Sequence, residues 1–310
     1  MFSVLFPGQG SQSVGMAKEL HDNFEYVKNL FGEADDVLNL SISKLIFEGP
    51  KELLDQTENT QPAIFLVSYS IYQTIIRETK IRLQDAKYFA GHSLGEYTAL
   101  SASESLDFDN AIKILKARGK AMQTAVPKGQ GGMLAVLGTE IKNINEILEN
   151  NKNKYQCFIA NDNSTNQVVL SGNLKDLDLL TEDLNNNSIR NIKLPVSAPF
   201  HCSLMKPATE IMKKQIADTN FNNPKNAIVS NVTAKEMNNS NEIKNLLIKQ
   251  IESPVKWRES VIYMKENGVK KFIEIGPGKV LSGLIKRIDR SIKLISVNDV
   301  DDLEKINLND

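Results

Sequence analysis

Lys87-Tyr88-Phe89-Ala90-Gly91-His92-Ser93-Leu94-Gly95-Glu96-Tyr97-Thr98-Ala99-Leu100-Ser101-Ala102 is the stretch on which the reading of this 310-residue chain turns. Residues 87–90 form a short strand-like run and 96–102 a good helix former, with G-x-S-x-G between them. A sharp strand-to-helix turn holds the serine in a strained backbone conformation that only small flanking residues permit, and it lifts Oγ off the sheet edge. The helix starts at the serine, so its free N–H groups and positive dipole end face any oxyanion formed there. Ser93 is thus the expected nucleophile.

Around this turn the composition is that of an ordinary soluble globular protein, with 41% hydrophobic and 24% charged residues. The length suits one large domain or one domain carrying an insertion. A formal net charge of -1 supplies no overall field to draw in nucleic acid or a membrane, so a charged partner must be met by a local patch. Cys157 and Cys202 form no CxxC or ligand cluster, which fits free thiols in a reducing compartment and implies no metal site. The start Met1-Phe2-Ser3-Val4-Leu5-Phe6 is too short for a signal sequence and no apolar run is long enough to span a bilayer, so a cytoplasmic protein is expected.

Upstream of the turn, residues 2–6 read as a buried strand, followed by the glycine-rich Pro7-Gly8-Gln9-Gly10-Ser11-Gln12 and a helix near Val14 to Leu20. A phosphate loop is excluded there: G-x-x-x-x-G-K-[ST] is absent, and G-x-G-x-x-G fails at Ser13. Helical periodicity continues through residues 24–31 and beyond Glu33. A long apolar helix runs to about Glu78, with Thr60 as its cap and Pro62 in its first turn.

Downstream, Asp107 or Asp109 caps a helix over residues 110–125 whose apolar stripe holds Ala111, Ile114, Leu115 and Met122, and Arg118 falls on that same stripe. A buried cation needs a partner. An internal salt bridge or a snorkelling side chain is the plain reading, and a carboxylate on a substrate is the sharper one. From Gly129 the order becomes strand 132–137, helix 140–150, strand 156–160, strand 167–171, helix 174–184 and strand 189–194, which is β-α-β-β-α-β, the ferredoxin-like order. The main fold then resumes through Val196-Ser197-Ala198-Pro199-Phe200-His201. It continues with a strand at 227–230, helices at 242–251 and 257–266, a strand at 271–275 and a helix at 280–288. Alternation of strands and helices implies a hydrolase-like, mainly parallel α/β sheet flanked by helices, with an inserted ferredoxin-like subdomain. The expected division is 1–127 with 196–310 as the large part and 128–195 as the small one.

A serine nucleophile needs a base, most often histidine, and the chain has three. His21 beside Glu19 and Asp22 reads as a solvated surface residue. His92 adjoins Ser93, points to the opposite side and should pack beneath the turn. His201 remains, in a loop expected to follow a strand of the resumed fold, and Cys202 is too close to it in sequence to form a Cys-His pair.

GHSLG at 91–95, PGQGSQ at 7–12, the helical Arg118, the inserted unit and Ala198-Pro199-Phe200-His201 together resemble the malonyl-CoA:acyl carrier protein transacylase family of type II fatty acid synthesis. The likeness extends to Thr60-Gln61-Pro62-Ala63, Gly131-Gly132-Met133, Ile275-Gly276-Pro277-Gly278 and Ser296-Val297-Asn298-Asp299. The resemblance implies that Ser93 takes malonyl from malonyl-CoA as an ester and passes it to the phosphopantetheine thiol of holo acyl carrier protein. It implies a Ser-His dyad with His201 as base, oriented by the main-chain carbonyl of Gln250, and an oxyanion hole from the backbone N–H groups of Gln9 and Leu94. Arg118 then binds the malonyl carboxylate, and Phe200 is a substrate-binding residue. No permanently bound cofactor and a monomeric state are expected. An acidic carrier protein calls for a basic rim, for which Lys116, Lys120, Lys286 and Arg287 are candidates. The rival reading is a serine esterase or thioesterase using the same turn; the chain shows no HGGG loop before the serine, and Arg118 offers a neutral acyl chain nothing. A silent carrier-binding scaffold is the remaining alternative.

Overall fold

The computed structural model describes residues 1–196 and 198–307. The chain opens with β1 (Phe2–Phe6), α1 (Lys18–Asn23), α2 (Glu25–Leu38), α3 (Ile42–Glu48), α4 (Lys51–Leu54) and α5 (Thr57–Glu78), then β2 (Tyr88–Gly91), α6 (Gly95–Ala102) and α7 (Phe108–Thr124). Next come β3 (Gly131–Leu137), α8 (Ile141–Asn150), β4 (Cys157–Ser164), β5 (Gln167–Asn173), α9 (Leu174–Asn186) and β6 (Arg190–Lys193). It closes with α10 (Lys206–Asp218), β7 (Ala227–Val229), β8 (Glu236–Met237), α11 (Ser240–Gln250), α12 (Trp257–Glu266), β9 (Lys271–Ile275), α13 (Val280–Ile288), β10 (Lys293–Val297) and α14 (Val300–Asn307).

The larger sheet has the order β10-β9-β1-β2-β7-β8 and is parallel except where β8 pairs with β7. Its inner strands β1 and β2 are near-continuous apolar runs, as a parallel sheet covered on both faces requires. One covering layer packs Phe65, Tyr97 and Leu115 from α5, α6 and α7 against Phe6 and Phe89. The other packs Trp257, Val261, Leu281 and Ile285 from α12 and α13 against Leu5 and Phe272.

The second sheet, β4-β5-β3-β6, is antiparallel and has its own core of Leu134, Val136, Ile144, Leu170 and Leu180. Its strand order and the placement of α8 and α9 match the expected ferredoxin-like pattern. Its β4 reaches the larger sheet's helices: Val255 N–H donates to the Ala160 carbonyl at 2.8 Å, and Asp162 N–H donates to the Val255 carbonyl at 2.9 Å. Arg258 on α12 grips Asp162 with two nitrogens at 2.8–3.0 Å. The two sheets are thus pinned together beside the serine turn.

Several sequence expectations need correction. Helix α1 begins at Lys18, because Gly15 and Ala17 hold positive φ and delay it. Helix α5 begins at Thr57, so Pro62 lies inside it and Thr60 is no cap; its hydroxyl donates instead to the Leu54 and Gln56 carbonyls. The N-terminal placement of Pro62 still limits the damage to one missing N–H close to the helix start. β10 completes the sheet edge, and α14 occupies what reads as a short acidic tail. No strand forms across 195–202 among the described residues, so the loop of His201 does not follow a strand of the resumed fold as expected; Ser197 lies outside the described residues.

Candidate active site

The serine turn is built by two glycine clearances. A Cβ on Gly91 would lie 1.9 Å from the Gly95 carbonyl carbon, and one on Gly95 would lie 2.3 Å from the Phe6 carbonyl oxygen. With both absent, α6 packs directly on β1 and β2, and Ser93 sits at φ 54°, in the left-handed region that a side-chain-bearing residue occupies at a cost. The strain is held by Asn231, which follows β7. Its Oδ1 accepts from Ser93 N–H at 2.7 Å, and its Nδ2 donates to the Gly91 carbonyl at 2.7 Å.

His201 meets the serine. Ser93 Oγ lies 2.8 Å from His201 Nε2, and Nδ1 lies 2.9 Å from the main-chain carbonyl of Gln250 at the end of α11. A carbonyl can only accept, so Nδ1 carries the proton and Nε2 presents its lone pair to the Ser93 hydroxyl. Burial, aided by the nearby Arg118 charge, pushes the imidazole down to about 3. It is neutral at physiological pH and ready to take a proton. His201 also holds a left-handed φ of 57°. The preceding carbonyl, of Phe200, accepts from Ser171 Oγ of β5 at 2.6 Å, which ties the histidine to the small sheet.

Arg118 is fully buried. Its position follows from Gly119, where a Cβ would come within 2.5 Å of the Thr57 carbonyl; the bare residue lets α7 lie against the start of α5. The guanidinium donates to Gln61 Oε1 at 2.8 Å, Gln250 Oε1 at 2.9 Å and Ser93 Oγ at 3.2 Å. All three acceptors are neutral, and among the described residues Nε has no partner. The salt bridge that would give Arg118 a purely structural role is therefore not found among the described residues. The nearest carboxyl behind it is Glu96, whose Oε2 accepts from Gln250 Nε2 at 3.0 Å and from Asn231 N–H at 2.9 Å. Burial raises this carboxyl to about 7 against the pull of those donors and of Arg118.

Ser93, His201, Arg118 and Phe200 line one cavity of about 100 Å³ with Gln9, Gln61, Leu94, Met122 and Met133. A larger open cavity of about 760 Å³ shares Gln9 and Val196 with it and continues outward past Thr57, Gln123 and Lys128. Gln9 sits in the loop after β1, with its side chain donating to Thr57 Oγ1 at 3.4 Å. Leu94 is the residue from which α6 starts. Among the described residues the backbone N–H groups of Gln9 and Leu94 have no hydrogen-bond acceptor.

Other candidates fall elsewhere. His92 makes no bond to Ser93 Oγ, as expected; its ring packs on the buried Trp257 at 5.7 Å between centroids, also lines the cavity, and its Nε2 lies 2.9 Å from Asn163 Oδ1 of β4. His21 is half-buried against the edges of Phe31 and Phe47 and is not a simple surface residue. Cys202 is buried with its thiol pushed up to about 11, so it is no rival nucleophile. Lys116 is half-buried and engaged by Asn59 at 2.9 Å and Glu58 at 3.6 Å, leaving Lys120, Lys286 and Arg287 as exposed members of the expected basic rim, Arg287 with one bond to Gln167 at 2.6 Å. Sequence reading missed Asn231, Gln61 and Glu96 as site residues. Gln61 and Glu96 lie inside stretches already singled out, while nothing in the sequence around Asn231 marks it.

The acyl transferase domain family matches residues 4–305, and the chain belongs to that family. It is an acyltransferase. It is 42% identical over 306 residues to the malonyl CoA-acyl carrier protein transacylase of Bacillus subtilis, covering 97% of this chain and 95% of that one. It is 37% identical to the Escherichia coli protein of the same name, covering 96% of each. An acyl-carrier-protein-S-malonyltransferase from Bartonella henselae superposes with a TM-score of 0.95 at 38% identity, over 98% of both chains. A malonyl-transacylase solved in complex with its type II polyketide acyl carrier protein also superposes at 0.95, with 36% identity over 100% of this chain and 99% of that one.

Proposed function

We propose that this chain transfers malonyl from malonyl-CoA to the phosphopantetheine thiol of holo acyl carrier protein through an ester on Ser93, supplying extender units for fatty acid synthesis. The observation that carries the reading is Arg118: a buried guanidinium within reach of the nucleophile, bonded to neutral oxygens, with Nε free. In malonyl a single methylene separates the reacting carbonyl from the free carboxylate, so a cation this close to Oγ suits it. The names of the relatives support the same substrate and acceptor.

In the first half-reaction Ser93 gives its proton to His201 Nε2 while Oγ attacks the thioester carbonyl. The backbone N–H groups of Gln9 and Leu94 are the proposed donors to the resulting oxyanion. Collapse breaks the C–S bond, and the proton on Nε2 goes to the departing coenzyme A sulfur. In the second half-reaction the carrier thiol gives its proton to His201, its sulfur attacks the ester, and Ser93 Oγ leaves with that proton. Gln250 orients the imidazole through its carbonyl, making a dyad in place of a triad. Phe200 closes the acyl pocket, and Arg118 holds the carboxylate as a paired donor. The acyl pocket of about 100 Å³ meets the wider cavity at Gln9 and Val196, and so small a space helps keep water from the ester.

The proposed division is a large part of 1–127 with 196–310 and a small part of 128–195. We take the enzyme to work as a cytoplasmic monomer with no resident cofactor or metal; among the described residues no helix is long and apolar enough to cross a membrane. Intact mass after incubation with malonyl-CoA tests the reading. A stable malonyl adduct, lost in Ser93→Ala and discharged by holo carrier protein, is expected. Rapid return to the unmodified mass with free malonate would mark a hydrolase, and no adduct at all would mark a scaffold.

A further inference from the structure

Glu96 is a buried carboxyl on the first turn of α6, and none of the steps above uses it. Its Oε2 takes one donor from the Asn231 backbone and one from Gln250 Nε2. The other end of the same Gln250 amide, Oε1, accepts from Arg118 at 2.9 Å. An amide offers a donor edge and an acceptor edge, so fixing one fixes the other. If the amide turned over, its NH₂ would face the Arg118 guanidinium, donor against donor, inside a buried site where an unmatched polar group costs about 1–3 kcal/mol. The Ser93 carbonyl at 3.1 Å is a second acceptor for Nε2, so Glu96 shares the task of orienting the amide.

We propose that Glu96 is a positioning residue for substrate selection: through the Gln250 amide it sets the orientation of Arg118 and hence the preference for an acyl group that carries a carboxylate. The inference rests on the reading of Arg118 as the malonyl clamp. The spacing also explains why a carboxyl stands behind the arginine and not on it. A direct ion pair would have to be broken for each malonyl group, whereas a carboxyl one amide away leaves Arg118 bonded to neutral oxygens alone, with Nε unpartnered. Gln250 then has two separable duties, its carbonyl for His201 and its side chain for Arg118.

The test measures kcat and KM separately for malonyl-CoA and acetyl-CoA in the full chain, with Glu96→Ala, Glu96→Gln, Gln250→Met and the double variant Glu96→Ala with Gln250→Met. Glu96→Ala is expected to lower the malonyl-over-acetyl ratio of kcat/KM by about fivefold to tenfold, chiefly through KM for malonyl-CoA, the worth of one hydrogen bond in a charged network. Glu96→Gln keeps an acceptor oxygen and is expected to recover the ratio to within about twofold. Gln250→Met breaks the same relay, so the double variant is expected to be no less selective than the worse single one. Equal loss on both substrates, no recovery with glutamine, or multiplying effects in the double variant each overturn the inference. Should Glu96→Ala not fold, Gln250→Met and Glu96→Gln carry the comparison: loss of the ratio in the first and retention in the second is expected, and any other pairing overturns it. Arg118→Ala separates the two readings: if it keeps the malonyl preference, the clamp itself fails, and if it loses the preference while Glu96→Ala does not, only the role of Glu96 fails.

Discussion

The serine turn and the segment that returns from the small sheet to His201 each place a reacting group on left-handed backbone, at φ 54° and 57°, yet different forces hold them. At 91–95 the geometry is set first within the turn and its own strands, by the two glycine clearances and the start of α6, and one distant residue, Asn231, braces it. At 198–202 it is enforced from afar, by Ser171 on Phe200 and by Gln250 on the imidazole. The turn that carries the proposed nucleophile is thus shaped by its own glycines, whereas the loop of the proposed base is placed by tertiary contacts alone. The largest effect that can break this contrast is His201→Ala, expected to slow Ser93 acylation about 10³- to 10⁴-fold. A stopped-flow acylation rate within tenfold of the parent would mean that another group serves as base.

Next in size is Gly91→Ala, which places a methyl 1.9 Å from the Gly95 carbonyl carbon. Backbone on both sides cannot yield as a flexible side chain does, so about 3 kcal/mol of stability should be lost in chemical denaturation. A fully stable variant would show that the turn is not locked by its own residues.

The same contrast explains what could be read from the sequence. The strand at 271–275 and the helices at 257–266 and 280–288 fall where periodicity puts them, because apolar spacing is local. The turn at Ser93 was legible for the same reason. Asn231 was not, since its worth lies in bonds to residues more than a hundred positions away. Pro62 misplaced the start of α5 because the helix begins one turn earlier than a first-turn proline implies, its opening turns buried against α4 and α7 and so stabilised by tertiary packing. The strand β10 escapes because the edge of a parallel sheet reads as a half-polar run, and the contact of His92 with Asn163 of β4 is not legible because it crosses between the sheets. Only elimination among three histidines singles out His201; no local pattern announces a loop held by Ser171 and Gln250.

Two milder substitutions sharpen the comparison. Asn231→Ala removes both bonds that brace the turn and should cost about 2 kcal/mol of stability together with a slower acylation. Ser171→Ala removes one bond to the segment before His201 and should lower kcat about fivefold, with a stability change of about 1 kcal/mol or less. If Ser171→Ala left kcat at the parent value, His201 would not depend on the small sheet for its position.

The smallest expected effect is a missing one. An unperturbed histidine base would give an acid limb near its ordinary value of 6.5, but burial and Arg118 hold His201 at about 3. The acylation rate should therefore show no limb from this residue between pH 5 and 8, about the range in which an unshifted imidazole titrates. Glu96, raised to about 7, is the site group that titrates there, so an inflection near neutrality should vanish in Glu96→Gln. An inflection that persists in that variant and disappears with His201→Ala would show that the imidazole is far better solvated than its burial implies. The same shift has a stability consequence of definite sign. Between about 6.5 and 3 the unfolded chain binds a proton at this histidine that the folded site refuses. His201 therefore weakens the fold as pH falls through that window, and its replacement should relieve that part of the acid sensitivity.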